Sequence, residues 1–212
     1  WIEGNENWHE LTWRGDVMGQ RLTAWAAHAG FLLEGAEPTF RKKFLAAFAR
    51  QSKHLGRAIK ACPEGRARIG AILGMVTSSI ALTGGGTALE RAIQHLRREL
   101  TAQILPDGGH VSRSPSQHYA ILADLISIRE ALASGGHAPP GELTGSINRL
   151  ALAARFFRHG DGSLALFNSS NEIPTNAQGL DIDTILAAAP TKEKIPASLN
   201  QTGYERLTAA GT

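Results

Sequence analysis

The chain has 212 residues, of which 42% are hydrophobic and 19% charged, with a formal charge of +3 and a pI near 9.3. This is globular composition, which excludes a wholly disordered chain, and no apolar run reaches the roughly 18 residues that a membrane-spanning helix needs. One cysteine, Cys62, excludes an internal disulfide framework and a cysteine zinc cage, and the mild positive charge permits an anionic partner without requiring one.

Helical periodicity dominates the order of elements. Trp13 to Leu33 carries Val17, Leu22, Trp25, Ala29 and Leu32 on one apolar stripe. A second helix opens at Pro38-Thr39 and places Phe40, Phe44, Phe48, Leu55 and Ile59 on one face. Its opposite face holds Arg41, Lys42, Lys43, Arg50, Lys53, Arg57 and Lys60, a solvated basic surface, and Pro63 ends it. Glu64 to Leu82 is apolar nearly all round after Arg68 and reads as a buried helix. After Gly84-Gly85-Gly86, which no P-loop lysine follows, Thr87 and Glu90 match a capping box. Leu89, Ile93, Leu96, Leu100 and Ile104 form the next stripe.

Pro106-Asp107-Gly108-Gly109 is a turn, and Ser114-Pro115-Ser116-Gln117 is a second capping box. The helix from there to Ala133 buries Ile121, Leu122, Leu125 and Ile128, and a further helix, Glu142 to Phe157, buries Leu143, Ile147, Leu150, Ala154 and Phe157. The period then changes. Ser163 to Phe167 reads as a short strand after the Asp161-Gly162 turn. Residues 168–201 are loop-rich with a weak helix at Asp183 to Ala189, and Gly203 to Leu207 starts a strand. The expected fold is therefore mainly all-α, about six amphipathic helices in antiparallel hairpins, with a short loop-rich and β-containing C-terminal tail. With Trp1 at its start and no terminator at its end, the chain reads as part of a longer protein.

Two segments resemble the heparinase II/III family of polysaccharide lyases: Gln103-Ile104-Leu105-Pro106-Asp107-Gly108-Gly109-His110-Val111-Ser112-Arg113-Ser114-Pro115, and Arg158-His159-Gly160-Asp161-Gly162-Ser163-Leu164-Ala165-Leu166-Phe167-Asn168. Gly203-Tyr204-Glu205-Arg206-Leu207 is similar to the entry into that family's β-sandwich. Trp13-Arg14, Arg21 and Trp25 are similar to its tryptophan- and arginine-containing opening. The resemblance implies an incomplete (α/α) toroid over residues 1–168, a linker over 169–202, and the start of a β-sandwich domain over 203–212. It also implies an acidic polysaccharide as partner, the β-domain of the parent chain as a second partner, and an exported protein, though no residue marks a compartment. No cofactor, metal site, nucleic-acid contact or membrane insertion is expected.

The chemistry implied is β-elimination at a uronic acid. The carboxylate must be neutralised before the adjacent proton can leave, and a base and an acid must flank the site. His110, Arg113, Gln117, His118 and Tyr119 fall in one turn and one helix start, which itself favours an anion. His118 or Tyr119 is the expected base or acid, His110 the group that orients a partner, and Arg113 and Gln117 the carboxylate binders. Trp13 and Trp25 are expected to stack on sugar rings and Arg21 to pair with a sulfate or carboxylate. Each has a plainer alternative. His110 can satisfy a Gly-Gly turn, His118 can be solvated, Tyr119 can be a packed aromatic, and Trp13 and Trp25 can be core.

The family's Tyr-His pair is replaced by Gln117-His118, which puts Tyr119 about 100 degrees round the helix from the matching position. The Asn-His pair falls near Ala67-Arg68 and is not matched. These departures keep a second reading open, a non-catalytic glycan-binding or envelope-polysaccharide protein on the same scaffold. A glycosidase would need two opposed carboxyl groups about 5–9.5 Å apart, for which Asp107 and Asp124 are the only tempting pair.

Overall fold

The computed structural model describes residues 2–171 and 181–207. The helices are α1 (Gly15–Ala27), α2 (Ala29–Leu33), α3 (Pro38–Ala58), α4 (Arg66–Ala81), α5 (Gly86–Gln103), α6 (Pro115–Ser134), α7 (Gly141–Phe156) and α8 (Ile182–Ala188). Strands β1 (Ser198–Leu199) and β2 (Tyr204–Glu205) form an antiparallel pair with Leu199 opposite Tyr204. The fold is all-α, as the periodicity predicts.

The chain divides into two compact units. The first comprises residues 1–96 and 130–138 and contains α1 to α4. The helix expected from Trp13 to Leu33 is broken at His28, whose φ of −104° and ψ of 12° leave the helical region. α1 packs on α4 through glycines. A Cβ built on Gly19 would lie 2.5 Å from the Gly70 carbonyl oxygen and 2.7 Å from Ala71 Cα, and one on Gly74 would strike the Gly19 backbone. α4 is buried on nearly every side, from Ile69 through Ser79. α3 buries Phe44, Ala47, Phe48 and Leu55, while its lysines and arginines face solvent. Phe40 belongs to the predicted apolar stripe but is 41% exposed, because it sits in the first turn of α3.

The second unit comprises residues 97–129 and 139–212. All four predicted core residues of α6 and all five predicted for the α7 segment are buried. α8 is held at both ends by arginines. Arg158 pairs with Asp183 in its first turn at 2.6 Å, and Arg155 and Arg129 donate to the carbonyls of Leu186, Ala188 and Ala189 at its end. Cations at a helix C-terminus satisfy free carbonyls and oppose the helix dipole favourably. Arg206 does the same for α7, its Nη1 donating to the Arg155 and Phe156 carbonyls.

Two sequence expectations change here. Ser163 to Phe167 is not a strand; it makes an isolated bridge between Leu164 and Arg158. The capping box at Thr87 does not start α5, which begins at Gly86, one residue earlier. Gly85 precedes it because a Cβ there would collide with the Ser79 carbonyl.

Candidate functional site

The segment between α5 and α6 is a tight hairpin in the second unit. Ile104 bridges His110, the Leu105 amide donates to the Gly109 carbonyl at 2.8 Å, and Gly108 takes a φ of 84° at the tip. Only glycine fits there, since a Cβ would also collide with the Arg149 carbonyl. Asp107 closes the turn by accepting from the Gly109 amide at 3.0 Å. It also reaches the β1–β2 hairpin, accepting from the amide and hydroxyl of Thr202 at 2.7 and 2.8 Å. Burial alone would raise the Asp107 pKa, but these hydrogen bonds outweigh it and hold the carboxyl below its ordinary range.

His110 follows the turn and is buried, with 4% of its surface exposed. Its Nδ1 accepts from the Ser112 amide at 3.1 Å and lies 2.8 Å from the Ser112 hydroxyl. With Nδ1 accepting, Nε2 carries the proton and donates to Gln103 Oε1 at 3.1 Å. Gln103 in turn donates to Glu99 at 2.6 Å. Burial pushes the His110 pKa down to about 4, so the ring is neutral and fixed in one tautomer.

His118 and Tyr119 lie inside the packing of α6 on α7. His118 is 1% exposed, its Nε2 lies 2.9 Å from the Leu150 carbonyl, and its ring meets Phe157 edge-on at 5.4 Å. Tyr119 is fully buried and donates to the Ala154 carbonyl at 2.7 Å. Desolvation moves both away from proton transfer near neutral pH, His118 down to about 4 and Tyr119 up to about 12. Both side chains are thus occupied in joining two helices: Tyr119 is a packed aromatic, and His118, for which a solvated position is the plainer alternative, is buried instead.

Arg113 and Gln117 are different. Both are exposed. The Arg113 guanidinium has no hydrogen-bond or ion-pair partner among the described residues. Its backbone is left-handed, with φ of 55°, a conformation costly for a side chain with a Cβ. That backbone is held by its own carbonyl, which accepts from Asn168 Nδ2 at 3.0 Å and from the Tyr204 hydroxyl at 3.1 Å. Asn168 Nδ2 also donates to the Tyr204 oxygen at 2.6 Å. Asn168 and Ser169 are themselves left-handed, with φ of 49° and 61°. Three such residues therefore converge from two loops. The next residue, Ser170, caps α6 by accepting from the Ser116 amide at 3.1 Å, and it lies 3.0 Å from Ser114 Oγ.

Asn168 and Tyr204 were not singled out as site residues from the sequence. The signal available was their place in the two later segments that carry the resemblance, each remote in sequence from Arg113.

The other predicted residues lie in the first unit. Trp13 is 7% exposed and meets His54 edge-on at 5.0 Å, as core. Arg21 donates to Gln51 Oε1 and to the Thr12 carbonyl, each at 2.7 Å, so it ties α1 to α3 and to the segment before α1. Trp25 is half-buried against Phe44 at 5.1 Å. Among the described residues no group of three or more His, Cys, Asp or Glu is placed to hold a metal, and no helix is long and apolar enough to cross a membrane.

Eight α-helices and one two-stranded sheet among the described residues give an all-α scaffold of the α/α-toroid class. Comparison with known proteins gives the same class, with two solved structures of heparinase III matching at TM-scores of 0.63 and 0.61. They are 19% and 16% identical and cover 75% and 76% of this chain, which covers 27% and 28% of theirs. The chain belongs to the Heparinase II/III N-terminus family, whose pattern matches residues 2–195. A curated relative, FtsZ-localized protein C of Caulobacter vibrioides (strain NA1000 / CB15N), is 30% identical over 203 residues, covering 94% of this chain. The chain spans about a third, 34%, of that relative's length.

Proposed function

We propose that this chain is an acidic-polysaccharide-binding domain on a polysaccharide-lyase scaffold, with Arg113 and Gln117 contacting the anionic groups of the glycan. The observation that carries this reading is the Arg113 guanidinium, exposed and unpaired on a backbone held left-handed by Asn168 and Tyr204. Strain of that kind persists only where surrounding structure enforces it, and it gathers at ligand sites. A planar guanidinium and a side-chain amide each suit a carboxylate or sulfate, since both supply hydrogen-bond donors to anionic oxygens. His110, His118 and Tyr119 act in this reading as the framework beneath the site. A relative named for co-localisation with FtsZ rather than for an enzyme activity is compatible with binding without turnover.

Binding of the full-length parent protein to heparan sulfate, hyaluronan and alginate tests the reading. Arg113→Ala should weaken the best of these at least about tenfold, the loss of one charge-assisted contact. An unchanged affinity would sink it. β-Elimination is the second reading, favoured by family membership, and it requires a base other than the buried His118 and Tyr119. The unsaturated uronate product, followed by its ultraviolet absorbance on the same glycans, separates the two.

A further inference from the structure

The longest helix of the first unit, α3, carries charge of one sign. From Pro38 to Pro63 the sequence holds seven lysines and arginines and no aspartate or glutamate. The helix commits its apolar face to the core through Phe44, Ala47, Phe48 and Leu55. Its outer face is a lane. Lys42, Ala46, Ala49, Lys53 and Gly56 follow at alternating steps of four and three, and all are exposed. That spacing keeps them on one line along the helix, about 21 Å long at the usual rise per residue. The residues between the cations are small, and a Cβ built on Gly56 would meet nothing. Arg50 and Arg57 stand exposed along one edge, and Leu45 is exposed on the other. Lys42, Arg50, Lys53 and Arg57 have no hydrogen-bond or ion-pair partner among the described residues. The last three lie three and four residues apart on the helix, so they repel one another.

The same helix already takes an acidic stretch of its own chain along one flank. Glu3 pairs with Lys43 near the start of α3 at 2.7 Å, and Trp13 meets His54 near its end at 5.0 Å. The stretch between Glu3 and Trp13 adds Glu6 and Glu10 and has no lysine or arginine. Where this helix is covered on its basic side, acidic polypeptide covers it.

We infer that the outer face of α3 docks an acidic α-helix of a partner protein, laid along the lane. Ala46, Ala49 and Gly56 let the partner's side chains seat close to the α3 backbone, since the side chains at the contact set how near two helix axes come. The lysines and arginines meet the partner's carboxylates, steer it in and fix its register. A bilayer surface would need several bulky apolar side chains on this face, and α3 keeps its own in the core. A nucleic-acid duplex would take the charge but make no use of the small residues. The inference does not depend on the glycan reading, whose residues lie in the second unit.

The test is fluorescence anisotropy of the full-length protein with a labelled helical peptide of 21 residues, the length of α3. The peptide carries Leu at its a and d positions and Glu at e and g, whose like charges keep it monomeric. It should bind, and less tightly as salt rises. Lys53→Glu with Arg57→Glu should weaken binding at least about tenfold. If that pair lowers the melting temperature, Lys53→Gln with Arg57→Gln removes the charges without reversing them and should weaken binding in the same direction. Ala49→Gln keeps the helix and its charge but fills the lane, and should weaken binding by about three- to tenfold. No binding of the peptide by the wild-type protein would overturn the inference. Unstructured polyglutamate that binds as tightly, with Ala49→Gln without effect, would overturn it in favour of diffuse attraction. Heparan sulfate, a DNA duplex, or vesicles of phosphatidylglycerol and phosphatidylcholine that displace the peptide and depend more strongly on Lys53 and Arg57 would overturn it in favour of that ligand.

Discussion

The carboxylate of Asp107 grips Thr202 twice, accepting from its amide at 2.7 Å and from its hydroxyl at 2.8 Å across 95 positions of sequence. Tyr204, two residues beyond Thr202, joins Asn168 in holding the carbonyl of Arg113. The turn after α5 is therefore fixed at both ends, and the side chain of Arg113 is presented from a clamped segment. Asp107→Ala should cost about 1–3 kcal/mol, the range for hydrogen bonds to a charged group, read as a lower urea midpoint.

Acid should weaken the second unit in two stages. His110 and His118 have folded pKa values of about 4, below the ordinary value near 6.5. The unfolded chain binds these protons first, so the stability the neutral rings contribute is complete above about pH 6.5 and drains away as pH falls toward 4. Asp107 is also depressed, so its contribution is present above the unfolded carboxyl value of about 4 and is lost as pH falls below it. Urea midpoints at pH 7, 5.5 and about 4 should fall in that order. A flat profile between pH 7 and about 5 would contradict the burial of the two imidazoles.

Tyr119→Phe should lower stability by roughly 1 kcal/mol, the net worth of its bond to Ala154, without changing glycan affinity. An exposed catalytic tyrosine would behave in the opposite way. Titration of its phenol should begin only as pH approaches about 12, which difference absorbance at high pH can follow.

Tyr204→Phe removes the hydroxyl that holds Arg113 but keeps the aromatic ring. The expected result is weaker binding of acidic glycan, by about three- to tenfold, with the melting temperature nearly unchanged. Asn168→Ala should act in the same direction. A loss no greater in either variant than at a remote surface position would show that the clamp does not position the guanidinium.

Gly19→Ala and Gly74→Ala should each destabilise the first unit by about 1–3 kcal/mol, because each new methyl must displace backbone of the facing helix. Thermal unfolding of the two variants and of Gly30→Ala, which has open space at its Cβ, measures the difference.

Much of the fold was legible because the apolar stripes of α6 and α7 repeat at helical spacing and bury as spacing predicts. The first stripe was less so. Close packing of α1 on α4 relies on Gly19 and Gly74, residues that contribute nothing to a hydrophobic pattern. The Ser163 to Phe167 alternation looks like a strand, yet it forms one isolated bridge, Leu164 with Arg158, and Asp161 closes the turn with Ser163. At the site, residue type gave Arg113 and Gln117, which the fold leaves exposed. Type could not give exposure: His118 and Tyr119 follow Gln117 directly, and the turn of the helix carries them inward against Leu150 and Ala154. Nor could spacing reveal Asn168 and Tyr204, which reach Arg113 from 55 and 91 residues away.

The seven residues of α8 are too few to persist as an isolated helix in water. Their carbonyl end is tethered by Arg155, which belongs to the last turn of α7, and that turn is in turn closed by Arg206, the residue after β2. Loosening any one of the three releases the others, so slow amide exchange in α8, α7's final turn and the β-hairpin should rise together, as a single breathing unit.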